Sequence, residues 1–434
     1  MGKYFGTDGI RGLASYLLAS NFSYRLGFSI GKILKPQQVV IGMDTRESGS
    51  KILTQLKNGL LKHGVEVLFA PDATTPMISY YSKEKNIVGI MITASHNPYH
   101  DNGIKIFDGG YKTKPEIEAL IEESMDGIIL DDLKDTGSFR ETNDVLHAYL
   151  QFYKNLDFPK TNLKVAYDCA HGASFKVASK VFELFTDKAT GYNCEPDGTN
   201  INKDCGSTHL AFLQNIMKND DYDIGFAFDG DADRCLVVGP GGTIVDGDQI
   251  LYLFAQHLHK QNKLEKHHVV MTKMSNPGIL KALTDDEITY SLTDVGDKHV
   301  FKEMDDYGYK LGGEASGHII LRDFLHTGDG ILVAIFMMQV LKETKLEEAL
   351  KHIELYPHKM INIENIDKTV LNSPVVIEAI EECKRVFGED YLVLIRPSGT
   401  EPLLRVTMSY KDEVVLDEQI NKMIDIIKKE GSMI

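Results

Sequence analysis

The sequence predicts an α/β protein made of three similar units and closed by a smaller α+β unit. Three observations carry this prediction. Short β-branched runs alternate with longer amphipathic ones to about residue 345, which is the pattern of βαβ units. Apolar runs repeatedly end in a polar or acidic loop, as at Ile92-Thr93 and Phe228-Asp229. A length of 434 residues exceeds what a single core fills and points to about three domains before any finer reading.

In chain order, residues 39–43 read as a strand, 48–62 as a helix closed by Gly64, and 65–69 as a second strand. The run Ile87-Val88-Gly89-Ile90-Met91-Ile92 is a third strand, with the length and branching of a buried one. Residues 115–125 form a helix with Pro115 in its first turn, and the polar stretch 131–143 marks a boundary. A second unit opens with a strand at 163–167, continues through a helix at 173–185 and culminates in a strand at 223–228. The third has a strand at 268–272, a helix near 278–283 and a strand at 309–311 before a glycine pair. A long helix after Gly330 then runs out near residue 345. The tail holds a helix at 375–387, two strands flanking 396–402 and a closing helix at 413–429. The expected divisions are 1–150, 151–248, 249–357 and 358–434, with no residue-level repeat among the first three.

Composition narrows the function classes. Acidic residues number 63 against 47 basic ones, a formal charge of -16. That balance excludes a general nucleic-acid or anionic-membrane surface, so an anionic ligand needs a local basic pocket. The opening Met1-Gly2-Lys3-Tyr4-Phe5-Gly6 lacks a signal-peptide core, and the apolar run 331–341 is too short to span a bilayer. A soluble, cytoplasmic protein is expected. Five cysteines without a C-x-x-C pair indicate free thiols, with neither a zinc site nor a disulfide framework.

Five stretches carry chemistry. Thr93-Ala94-Ser95-His96-Asn97-Pro98 follows the third strand, and Pro98 keeps Asn97 out of the α region, so Ser95 is presented on a turn rather than held in a helix. These residue types alone leave turn formation and catalysis equally open. Asp229-Gly230-Asp231-Ala232-Asp233-Arg234 places three carboxylates at alternate positions after a strand, where an extended backbone turns them to one side. An EF-hand is excluded because the twelfth position from Asp229 is Pro240, and the oxygen set suits magnesium. Gly312-Gly313-Glu314-Ala315-Ser316-Gly317-His318 offers a carboxylate, a hydroxyl and an imidazole between glycines, groups suited to sugar hydroxyls or to an ordinary loop. Arg396-Pro397-Ser398-Gly399-Thr400-Glu401-Pro402 joins a guanidinium to hydroxyls and glycine-exposed amides, which suits either phosphate or a hairpin turn. Asp101-Asn102-Gly103-Ile104-Lys105 follows Ser95 closely enough for Lys105 to return to the same pocket, where it could shuttle protons if its pKa were lowered.

Taken in order, these stretches resemble the α-D-phosphohexomutase superfamily, whose members carry a phosphoserine loop, a metal loop, a sugar loop and a phosphate loop in this sequence. The likeness runs from Phe5-Gly6-Thr7-Asp8-Gly9-Ile10-Arg11-Gly12 to the Arg396 stretch, and includes Glu195-Pro196-Asp197-Gly198-Thr199-Asn200-Ile201-Asn202 with Cys205-Gly206-Ser207-Thr208-His209, and Val245-Asp246-Gly247-Asp248-Gln249. It implies a heart-shaped, four-domain fold and a phosphoryl shift between two hydroxyls of an amino-sugar phosphate, glucosamine 6-phosphate and glucosamine 1-phosphate being its two ends. Glucose or mannose phosphates are the alternative substrates, and a non-catalytic sugar-phosphate sensor is the alternative of another class. Ser95 would be a phosphoserine, binding one Mg2+ with Asp229, Asp231 and Asp233. Lys105, Arg11 and His96 would assist catalysis. Glu314, Ser316, His318 and Lys298 would contact the sugar, and Arg396, Ser398, Gly399, Thr400 and Arg405 its distal phosphate. A sugar bisphosphate would act as phosphorylating activator, and a homodimer is allowed. Ala232 departs from the glycine of many relatives, His171 from an asparagine, and Gly296-Asp297-Lys298-His299 from a usual Gly-Asp-Arg-Tyr.

Overall fold

The computed structural model describes residues 2–128, 134–342, 344–397 and 403–431. Its first sheet has the strand order Ile10–Leu13, Asp101–Asp108, Val88–Ile92, Gln38–Met43, Glu66–Ala70, Ser138–Glu141, with Tyr111–Lys112 beside Asp101–Asp108. Gln38–Met43 pairs in parallel with Glu66–Ala70 and Val88–Ile92, whereas Asp101–Asp108 runs antiparallel to Val88–Ile92. In this layer alternate residues feed opposite faces. Val40 and Leu68 join one core while Val39, Ile41, Val67 and Phe69 join the other.

The next two sheets repeat that plan. One runs Ala189–Tyr192, Val165–Asp168, Ile224–Phe228, Cys235–Val238, with Ile244–Val245 at its edge; the other runs Thr289–Thr293, His268–Thr272, Leu311–Gly313, Ile319–Leu321. In both, three parallel strands end in an antiparallel hairpin partner. The first sheet has the same order around Gln38–Met43, so the repeat missing from the residues is present in the topology. The Ser95, Asp229 and Glu314 loops each occupy the hairpin between the third and fourth strands of this plan.

The helices Gly247–Lys260 and Gly330–Val340 fasten the second and third units together. Gly330–Val340 is buried on every side except at Gln339, and its residues share one core with Phe226, Phe228, Val269 and Met271. The last unit is a three-stranded antiparallel sheet, ordered His358–Glu364, Leu403–Ser409, Leu392–Pro397, under the helices Pro374–Phe387 and Glu413–Glu430. Among the described residues no helix is long and apolar enough to cross a membrane.

Several expectations are corrected. Residues 101–105, to which the sequence assigned no element, belong to a strand: Asp101–Asp108 is bonded to neighbours on both sides, and tertiary pairing overrides the turn propensity of Asn102-Gly103. The polar stretch 131–143 is more than a boundary, since Ser138–Glu141 adds a parallel edge strand to Glu66–Ala70; residues 131–133 lie outside the described residues. The strand expected at 309–311 is Leu311–Gly313, containing the glycine pair because Gly312 packs against Val270, where a Cβ would come within 3.0 Å. The helix after Gly330 ends at Val340 rather than near 345, where the chain passes from buried apolar residues to Lys342. The helix at 173–185 is two pieces, a 3-10 turn Ala173–Phe175 and the helix Val177–Phe185. Gly247–Lys260 was not anticipated, although Asp246 and Gln249 form its capping box.

Candidate active site

Val88–Ile92 delivers Ser95 to a turn, as expected, but the serine is only 1% exposed. Its φ is +52°, in the left-handed region that side chains avoid. The hydroxyl donates to Asp229 Oδ2 at 2.6 Å, and His96 Nδ1 lies 3.3 Å from Ser95 Oγ. Burial, then the nearby Arg234 and Arg11, pushes the His96 imidazole down to about 4, so it is neutral at physiological pH.

Asp229, Asp231 and Asp233 are all buried, with one oxygen of each within 4.8 Å of the others. The alternation argument for their convergence is replaced by a turn: Ala232 N–H donates to Asp229 O at 3.1 Å, and Ala232 has φ +58°. That conformation costs a residue with a side chain about 1–2 kcal/mol, so the departure from glycine carries strain. His171, at φ +49°, sits where asparagine and histidine are both favoured over other side chains.

The charges alternate around a ring. Lys105 Nζ lies 2.8 Å from both Asp231 Oδ2 and Asp233 Oδ2, and 3.1 Å from Asp8 Oδ2. Lys112 bridges Asp8 and Asp297, and His318 completes the circuit, its Nε2 3.6 Å from Asp297 Oδ2 and its Nδ1 3.7 Å from Asp233 Oδ1. Arg11 pairs with Asp8 at 2.9 Å and reaches Asn97 Oδ1 at 3.3 Å. Burial alone would push the Lys105 amine down, but Asp231, Asp233 and Asp8 outweigh it and hold the amine well above its ordinary range. Lys105 is therefore held here as a cation and hydrogen-bond donor, and these neighbours do not supply the lowered pKa on which proton shuttling was made conditional.

The aspartates fit a cation. Burial, followed by Asp233 and Asp231, pushes Asp229 well above the usual carboxylate range. Asp231 Oδ1 is sealed from solvent with no hydrogen-bond partner among the described residues, and Asp233 Oδ1 is likewise sealed, its nearest donors His318 and Arg234 standing beyond hydrogen-bond distance at 3.7 and 3.9 Å. Buried acceptors without donors are what a metal ion satisfies.

The remaining predicted residues are placed less uniformly. Glu314 Oε1 takes the Gly296 N–H at 2.9 Å, tying the third unit's hairpin to the helix Asp297–Tyr307, which carries Lys298 in its first turn. Ser316 Oγ is sealed without a partner among the described residues. Arg396 and Arg405 face each other as cross-strand partners, and among the described residues no hydrogen bond or ion pair joins either to the Ser95 cluster. Ser398, Gly399 and Thr400 lie outside the described residues. Sequence reasoning missed Asp8, Lys112, Asp297 and Arg234. Asp8, Asp297 and Arg234 stand inside motifs already singled out, whereas nothing local marks Lys112.

The matched family models are those of phosphoglucomutase/phosphomannomutase: alpha/beta/alpha domain I over residues 2–130, domain II over 147–242, domain III over 246–356 and the C-terminal domain over 360–426. The phosphoglucosamine mutase of Lachnoclostridium phytofermentans is 39% identical, and that of Bacillus velezensis 40%, each covering 99% of both chains. Among solved structures, a phosphoglucomutase/phosphomannomutase family protein from Burkholderia thailandensis matches with a TM-score of 0.82 at 21% identity, over 99% of this chain and 98% of the other. N-acetylphosphoglucosamine mutase from Aspergillus fumigatus, in complex with GlcNAc-6P and magnesium, matches at 0.73 and 16%, over 99% and 96%. The chain belongs to the phosphoglucomutase/phosphomannomutase family of phosphohexomutases. Within that family its full-length likeness is to the phosphoglucosamine mutases, isomerases that act by intramolecular phosphotransfer.

Proposed function

We propose that the chain interconverts glucosamine 6-phosphate and glucosamine 1-phosphate through a phosphorylated Ser95. The observation that carries this reading is the Ser95 hydroxyl, 2.6 Å from Asp229 inside a pocket of three buried carboxylates. Phosphoserine gives its phosphoryl group to the free sugar hydroxyl, the bisphosphorylated sugar turns over, and its other phosphate returns to Ser95. A sugar bisphosphate can supply the first phosphoryl group.

Asp229, Asp231 and Asp233, with a phosphoserine oxygen, would hold one Mg2+. When bound, the ion offsets phosphoryl charge and lowers the repulsion met by an incoming hydroxyl. Lys105 and Arg11 place fixed positive charge beside the same aspartates and Asp8, and neutral His96 stands next to the serine oxygen. Ser316 Oγ, lacking a partner, and His318 and Lys298 near the third unit's hairpin are assigned to the sugar, together with Glu314.

For the distal phosphate the support is electrostatic. Like charges directly opposite each other on paired strands repel, and an anion between Arg396 and Arg405 relieves that repulsion. Arg405 Nε is moreover sealed without a partner among the described residues. Ser398, Gly399 and Thr400 join this phosphate grip by resemblance to the family. Units bounded near residues 150, 248 and 357, a cytoplasmic location and a homodimer are proposed with this reading.

A coupled assay offering glucosamine, glucose and mannose 6-phosphates side by side tests it. The highest kcat/KM is expected with glucosamine 6-phosphate, with turnover stopped by chelation and restored by Mg2+. Release of free phosphate as the main product contradicts the mutase reading.

A further inference from the structure

Two side chains that touch no reacting atom converge on the backbone of the serine turn. Arg46 is fully buried, in the loop after Gln38–Met43, with its Nε 2.9 Å from Asp44 Oδ2. Its Nη2 donates to Ser95 O at 3.0 Å and to Asn97 O at 2.8 Å, while Nη1 donates to Pro98 O and to Asp101 O at 3.0 Å. Asn202 comes from the second unit, yet its Nδ2 donates to the same two carbonyls, Ser95 O at 2.8 Å and Asn97 O at 3.1 Å.

The other end of Ser95 is held by the same ion pair. Ser95 N–H donates to Thr93 Oγ1 at 2.9 Å, and that hydroxyl donates to Asp44 Oδ2 at 2.7 Å. Asp44 and Arg46 thus grip the residue from both of its peptide groups. Ser95 needs such a grip, since its left-handed backbone is sterically disfavoured and relaxes unless its surroundings fix it. Charge-assisted donors on carbonyls are among the stronger hydrogen bonds, and a planar guanidinium reaches several carbonyls of one turn at once.

We infer that Arg46 and Asn202 are positioning residues for phosphoryl transfer: by holding the Ser95 and Asn97 carbonyls they fix the direction of the Ser95 side chain. The inference rests on the reading of Ser95 as the phosphoryl carrier. Because Asn202 and the Asp229 loop belong to one unit and Ser95 to another, the clamp makes the serine's aim depend on how these units are seated. Gly230 shows how closely they meet, as a Cβ there would stand 2.5 Å from Ser95 O and 3.0 Å from Asn202 Nδ2.

The test uses the full-length chain with Mg2+ and glucosamine 1,6-bisphosphate. Asn202→Asp is nearly isosteric but cannot donate, and Asn202→Ala serves if the first variant does not fold. Thermal melting, kcat and KM for glucosamine 6-phosphate, and single-turnover transfer of phosphate from Ser95, followed by intact mass, are measured. A folded variant should lose at least about tenfold in kcat with KM changed by less than about twofold, and single-turnover transfer should slow by the same factor. Arg46→Lys combined with Asn202→Ala should cost less than the product of the two single losses, since both side chains hold the same carbonyls. Wild-type kcat in folded Asn202→Asp or Asn202→Ala overturns the inference, as does a lowered kcat with wild-type single-turnover transfer. Absence of phosphate on Ser95 in active wild-type enzyme overturns the reading of the site and the inference with it; that outcome is read on unmutated protein and so is distinct from failure of the clamp.

Discussion

Ser95 Oγ donates to Asp229 Oδ2 at 2.6 Å, although the two residues lie 134 positions apart and on hairpins of different sheets. Both hairpins join the third strand of a unit to its antiparallel fourth, and the Glu314 hairpin has the same place in the next unit. One topological position, used three times, carries Ser95, the three buried aspartates and the Glu314 loop, which the proposed function reads as nucleophile, metal ligands and sugar contact. The chemistry then depends on how closely these backbones approach.

Gly230 tests that closeness. A Cβ there would stand 2.5 Å from Ser95 O and 2.9 Å from Ile201 Cδ1, and neither the backbone carbonyl nor the packed side chain can retreat far. Gly230→Ala should destabilise the protein by about 1–3 kcal/mol. Displacing the serine by a fraction of an ångström should also lower kcat at least about tenfold. Denaturant unfolding and steady-state kinetics check the two effects, and unchanged kcat contradicts the tight approach.

Asp329 gives a pH dependence separate from the Asp229, Asp231 and Asp233 cluster. It caps the helix Gly330–Val340 and accepts from Tyr149 Oη at 2.6 Å and Tyr153 Oη at 3.2 Å. Burial pushes its carboxyl from 3.8 up to about 6, the hydrogen bonds from Tyr149, Leu332 N–H and Tyr153 working the other way. A raised folded pKa means that this group's contribution to stability is full below about pH 4 and lost as pH rises through about 6. The loss by pH 7 is about 3 kcal/mol. Asp329→Asn cannot ionise, so its stability should fall less than that of the wild type between pH 4 and 7, by about that amount. Parallel unfolding curves for the two proteins contradict the assignment.

Arg396→Lys addresses the distal phosphate. Lysine keeps the charge opposite Arg405 but not the fork that makes two parallel contacts with a phosphate. Losses in kcat and in kcat/KM of about tenfold or more are expected, with magnesium affinity unchanged because the aspartates belong to another unit. Wild-type kinetics would reduce the Arg396 loop to a hairpin turn.

The parts legible in the sequence were those coded locally. The aspartates announce themselves by spacing, and Ser95 by its place after a buried run. Lys112 and Asp297 could not be read together, because their pairing depends on how the first and third units pack. The ring from Asp8 through Lys105, Asp233, His318 and Asp297 to Lys112 likewise exists only in three dimensions. Asp101–Asp108 went unassigned because its pairing is tertiary: strands on both sides override the turn preference of Asn102-Gly103. Gly247–Lys260 was legible in principle, since Asp246 and Gln249 have capping-box spacing before an apolar run.

The most direct measurement is turnover of Ser95→Ala in folded, full-length protein supplied with Mg2+ and glucosamine 1,6-bisphosphate. Removing one hydroxyl from a turn leaves the sheets and cores intact, so melting should stay close to that of the wild type. Conversion of glucosamine 6-phosphate should fall by three orders of magnitude or more, about 4 kcal/mol of transition-state stabilisation, because the phosphoryl group has no other carrier. Near-normal conversion in that protein would contradict a phosphoserine route and leave the 2.6 Å contact with Asp229 a structural one.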